Sequence, residues 1–166
     1  MKTAVVALLL AAALLGCGGD DDDRAGGDSF VSNIRPAIEA VEAELGAGQE
    51  YFEVTANELV TNLFVAVDDA TAAVPYVFLD GELQTPAPKL TGASGFTFSA
   101  DAVDFDEDSI LDAVNEELPE STIEALSIEG GESGVVRYVV STLSPEGGRL
   151  EVTVAPDGTV LAVDPL

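Results

Sequence analysis

Val135-Val136-Arg137-Tyr138-Val139-Val140, then Leu150-Glu151-Val152-Thr153-Val154, then Asp157-Gly158-Thr159-Val160-Leu161: the reading of these three runs decides the fold. β-Branched and aromatic residues dominate them, and such side chains fit a pleated, half-buried surface. Leu150, Val152 and Val154 alternate with Glu151 and Thr153, the period of a strand with one face in a core and one in water. Ser144-Pro145-Glu146-Gly147-Gly148 turns the chain between the first two runs, and Pro156-Asp157-Gly158 turns it again. Strands joined by turns this short are antiparallel neighbours. The chain from Val135 to Val163 therefore reads as an antiparallel meander.

Further towards the N-terminus, Thr122 to Ile128 adds a strand. Before it, Ile110, Leu111, Val114 and Leu118 form one apolar helix face, capped by Asp106 and ended by Pro119. Phe105 and Ile110 stand where a hydrophobic staple would form. Phe96-Thr97-Phe98 reads as a short strand. The same order occurs earlier in the chain. Phe30, Ile34, Ile38, Val41 and Leu45 make a helical stripe that Asp28 or Ser29 can cap and that Gly46 and Gly48 stop. Pro36 predicts a kink, or a helix that begins near Arg35. Tyr51 to Thr55, Leu59 to Val67 and Val74 to Leu79 read as strands, with turns at Asp68-Asp69-Ala70-Thr71 and Asp80-Gly81. Pro75 suits an edge. Thr85 to Gly95 is rich in Pro and Gly, the composition of a linker.

The expected fold class is α+β: two tandem modules, each a helix packed on a small antiparallel sheet. Their expected bounds are residues 29–85 and 96–166, with a linker at 86–95. Val135, Val139, Val152 and Val154 are expected in the core, facing Ile110 and Val114. A single α+β domain whose halves resemble each other by chance is the competing reading.

The first 28 residues carry a different signal. Lys2 supplies a positive charge, Ala4 to Leu15 is unbroken apolar sequence, and small Gly16 precedes the lone Cys17. Twelve helical residues reach about 18 Å against a hydrocarbon core of about 30 Å, too short for a comfortable span. The run Leu14-Leu15-Gly16-Cys17 resembles a bacterial lipobox. That resemblance implies a signal peptide at 1–16, cleavage before Cys17, and lipidation of its thiol by a diacylglycerol. Two acyl chains hold firmly where one binds only marginally. An ordinary secretory signal and a short uncleaved anchor are the competing readings. Residues 17–28, with Asp20 to Asp23 between glycines, read as an acidic tether. The implied location is the extracytoplasmic face of a cell membrane.

Residues 107–164 resemble a PepSY-type domain, in which a helix is followed by antiparallel strands, one of them aromatic, with an Asp-Gly or similar turn near the end. Residues 30–85 match it less well, because Pro36 and Pro75 depart from the pattern. The resemblance implies a small non-catalytic module of the cell envelope with an inhibitory or interaction role, and no fixed binding residues.

The chain holds 31 acidic and 6 basic residues, no histidine, and a formal charge of −25. Nucleic acid and anionic lipid surfaces are poor partners for such a chain. Without histidine, and with Cys17 taken by lipid, His-based triads, Cys–His pairs and His-ligated metals are excluded. No phosphate-binding glycine motif occurs. The expectation is a protein that is not an enzyme and needs no cofactor. Asp104-Phe105-Asp106-Glu107-Asp108 begins like a Ca²⁺ loop, but Ser109 and Asn115 replace the glycine and the bidentate glutamate. Asp104, Asp106 and Asp108 are thus weak metal candidates against a helix-capping reading. Tyr51, Tyr76, Phe78 and Tyr138, with Arg137, are either an aromatic ligand surface or cross-strand packing. The expected function is an envelope lipoprotein that binds or inhibits an envelope protein or peptide. The alternatives are divalent-cation binding and a lipid-anchored receptor for a small apolar ligand.

Self-repulsion among the acids should weaken the folded state at low salt. The Debye length falls from about 30 Å at 0.01 M to about 10 Å at 0.1 M, so the melting temperature should rise mainly across that range. Melts in NaCl and CaCl₂ at matched ionic strength check this. Equal stabilisation means screening, and a much larger rise with Ca²⁺ means a specific site.

Overall fold

The computed structural model describes residues 30–166. Cys17, the leader, the tether and the cap candidates Asp28 and Ser29 lie outside the described residues. A 3₁₀ turn, Phe30–Asn33, leads into helix α1, Ile34–Leu45. Pro36 falls in the first turn of α1, where backbone N–H groups have no intrahelical partner, so it costs no hydrogen bond. Of the two expectations for Pro36, the late helix start is the one observed. Gly46, at φ 98°, ends α1 by donating its N–H to the Glu42 carbonyl.

Strands β1 (Glu50–Asn57), β2 (Thr61–Val67) and β3 (Ala72–Leu79) follow, with short strands β4 (Glu82–Leu83), β5 (Leu90–Thr91) and β6 (Phe98–Ser99). Helix α2 (Glu107–Glu117) precedes β7 (Thr122–Gly130), β8 (Val136–Leu143), β9 (Arg149–Val154) and β10 (Val160–Pro165). All pairings are antiparallel, in the order β10-β9-β8-β7-β1-β2-β3-β4, with β5 on β3 and β6 on β1.

The α+β class is therefore observed: the described residues form one continuous antiparallel sheet with two α-helices. The strands do not divide into two separate sheets, because β1 pairs with β7 from Glu53–Glu129 to Asn57–Ala125. The stretch expected as a linker lies along the edge of β3. β5 pairs with Ala72 and Ala73, and the Ala87 N–H donates to the Pro75 carbonyl. Pro75, which has no N–H to give, sits between the stretches of β3 that pair with β4 and β5.

Two cross-strand rows build the core. Val154, Tyr138, Ile128, Val54, Leu63 and Tyr76 form one, and Val152, Val140, Leu126, Ala56, Thr61 and Phe78 the other. The apolar members of both rows join one buried cluster with Ile34, Ala37, Ile38 and Val41 of α1 and Ile110 and Val114 of α2, and Thr61 is buried beside them. Both helices thus cover the same face. Leu45, expected on the stripe, is 43% exposed at the end of α1.

Three strand expectations need correction. Val135 is 63% exposed, because a 3₁₀ turn at Glu132–Gly134 delays β8 to Val136. Val139 is buried but pairs with Thr153 and Ser127, so it points away from Ile110 and Val114. Leu59 is likewise outside any strand. The Asn57 side chain accepts the N–H groups of Leu59 and Val60 and folds that segment into a turn.

Truncation should follow this geometry. Leu126→Ala, at the middle of a core row, should cost about 2–5 kcal/mol in urea unfolding. Val135→Ala should stay within about 0.5 kcal/mol.

Candidate binding face

The face opposite the helices carries no helix among the described residues. Its central row is Thr153, Val139, Ser127, Thr55, Asn62 and Val77, and the next is Arg137, Glu129, Glu53, Phe64 and Pro75. The Thr55 hydroxyl donates to the Glu53 carboxylate. A hydroxyl has one proton to give, so Ser127 is the donor across the 2.8 Å contact to Thr55.

A β-bulge breaks the alternation of β1. Tyr51 pairs with Val65 and Glu53 with Phe64, leaving Phe52 as the extra residue. Tyr51 is buried against Phe98 on the helix side, with ring centroids 5.8 Å apart. Phe52 and Glu53 instead line one depression together with Phe64, Ala73, Leu90 and the chain at 91–94, with a volume of about 310 Å³. The bulge thus turns two consecutive side chains towards one hollow. Its wall is fixed at several points. The Gly92 and Ala93 N–H groups donate to the Thr71 carbonyl at 3.0 and 3.1 Å, and Lys89 pairs with Asp68 at 2.6 Å. Asp68, Asp69 and Ala70 of the adjoining turn all have positive φ (55°, 54° and 58°). Sequence reasoning did not single out Phe52, Glu53 or Phe64. The available signal was Tyr51-Phe52-Glu53-Val54, where adjacent aromatics interrupt strict alternation.

The aromatic surface proposed from sequence is packing. Tyr51, Tyr76, Phe78 and Tyr138 all belong to the buried cluster, and Arg137 stands on the opposite face, paired with Glu129. Tyr138 fastens the segment that precedes α2. Its hydroxyl donates to the Asp104 carbonyl (3.0 Å) and accepts the Asp104 N–H (3.1 Å). Its ring lies 5.3 Å from that of Phe105, over which the Arg35 guanidinium sits at 5.2 Å. Arg35 also donates to the carbonyls of Val103 and Phe105.

Of the acidic candidates, Asp104 and Asp106 line a shallow hollow with Phe105, Pro156 and Asp157, and Asp108 does not join them. Asp106 caps α2, accepting the Ser109 N–H at 2.8 Å, which draws its carboxyl below the ordinary range. No group of three or more acidic, cysteine or histidine side chains among the described residues is arranged to hold a metal ion. No described helix is long and apolar enough to cross a membrane.

The chain matches no family model, no curated protein and no solved structure.

The titrating groups set a pH profile. Burial pushes the Tyr51 and Tyr138 hydroxyls up from the ordinary value of 10.0. The folded state then holds protons that the unfolded state releases, so stability should fall as pH rises above about 10. Asp106 and Asp157 are lowered from 3.8 by the N–H groups of Ser109 and Thr159. Their contribution is full above 3.8 and is lost as pH falls through the lowered folded values. Thermal melts across pH should show both limbs. Tyr138→Phe should shrink the alkaline loss, and Asp106→Ala should flatten the acid one.

Proposed function

We propose that this chain is a lipid-anchored protein of the cell envelope that acts by binding, or by inhibiting, an envelope protein or peptide without catalysis. In this reading Cys17 carries the lipid, residues 17–28 hold the domain off the membrane, and the folded part is two PepSY-like modules on the extracytoplasmic side. The observation that carries the binding role is the division of the sheet, among the described residues, into a face covered by both helices and a bare face with a hollow at Phe52, Glu53 and Phe64. A bare sheet face is a surface a partner can cover.

The strand order supports the modular reading. Each half supplies a helix followed by consecutive antiparallel strands, β1–β3 in the first and β7–β10 in the second, and the first of each set, β1 or β7, lies at the join. The anchor rests on Leu14-Leu15-Gly16-Cys17. Metabolic labelling with an alkynyl fatty acid tests it. Wild type should label and fractionate with membranes, and Cys17→Ser should do neither. Unchanged labelling of the serine variant overturns the lipoprotein reading.

A further inference from the structure

We propose that the hollow at the Phe52 bulge receives the cationic side chain of a lysine or arginine in a basic segment of a partner protein. This deepens the binding reading above and rests on it. Three observations carry it. The first is an unmatched charge. Glu53 and Glu129 face each other directly across β1 and β7, an arrangement that like charges make unfavourable. Arg137 neutralises Glu129 from β8. Among the described residues Glu53 has only the Thr55 hydroxyl.

The second is that no described basic side chain is free to supply the missing cation. Lys89 pairs with Asp68, Arg149 with Glu124 and Arg137 with Glu129, while Arg35 is held by two backbone carbonyls on the helix side. The third is the chemistry of the walls. Phe52 and Phe64 offer aromatic rings, and Ala73 and Leu90 apolar surface, beside that carboxylate. Lysine and arginine pair a long apolar stem with a charged head, so they satisfy both parts of such a hollow. A neutral apolar side chain would cover Glu53 without replacing its hydration, and an acidic one would be repelled. The chain's charge of −25 steers a basic segment towards it.

The test uses the detergent-solubilised full chain and a blocked Gly-Leu-Arg-Leu-Gly peptide, with a citrulline version that keeps the shape and removes the charge. Binding is followed by amide shifts at fixed ionic strength. The arginine peptide should move the amides of Phe52, Glu53, Phe64 and residues 90–94, and the citrulline peptide should bind about fivefold more weakly or worse. Glu53→Gln should weaken the arginine peptide to a similar degree. Glu151→Gln removes the same charge from the same face outside the hollow and should leave binding unchanged. Equal binding of the two peptides, equal effects of the two substitutions, or no shift at the hollow overturns the assignment. The binding reading has a separate readout. If the full chain crosslinks to an envelope protein and Glu53→Gln leaves that crosslink intact, the binding role stands and the hollow is not its site.

Discussion

Five residue pairs between β1 and β7 hold the structure in one piece. They alternate between faces. Val54–Ile128 and Ala56–Leu126 lie under the helices, and Thr55–Ser127 lies at the centre of the bare face. Without this pairing both core rows would end at open strand edges in the middle of the molecule, with buried N–H and C=O groups unpaired. With it, each row runs across six strands. The pairing joins segments far apart in sequence, so its closure entropy must be met by the core it completes.

The chain between the halves is fastened by side chains because it is irregular there and cannot satisfy its own backbone. Arg35 and Tyr138 take the backbone groups of residues 103–105 from opposite elements, α1 and β8. α2 is held by Ile110 and Val114 in the core, by its cap at Asp106, and by the Asp106 N–H, which donates to the Pro156 carbonyl in the β9–β10 turn. Elsewhere burial is less complete in its polar accounting. Among the described residues, the hydroxyls of Tyr51, Thr61 and Thr142 are buried without partners. Thr61 and Thr142 thus stabilise the helix side only through their apolar atoms, against a desolvation cost.

Periodicity made the strands, both helices, the Asp106 cap and most turns legible, because those depend on residues close in sequence. The meander from Val136 to Val163 is the clearest case. Three features were not legible for a common reason. The joining of the halves depends on which edges meet. The bulge at Phe52 exists only relative to its partner on β2. The sidedness of Val139 depends on where the helices settle. Val135 and Leu59 show the opposite limit, where a local turn overrides an apolar residue's preference for the core. The acids gave charge but no arrangement, so Asp104, Asp106 and Asp108 could be named from sequence and not placed.

Two glycines do structural work that no other residue type could take over. A Cβ at Gly130 would lie 2.3 Å from the Phe96 carbonyl oxygen, and one at Gly158 the same distance from the Ser109 carbonyl oxygen. Gly158 also has φ 85°. Core valines and leucines exchange for one another at modest cost when volume is kept. Sequence drift in a lineage of this protein would therefore blur the apolar pattern first. The close backbone crossings at Gly130 and Gly158 would outlast it, so distant descendants would be recognised by where they lack side chains more than by the ones they keep.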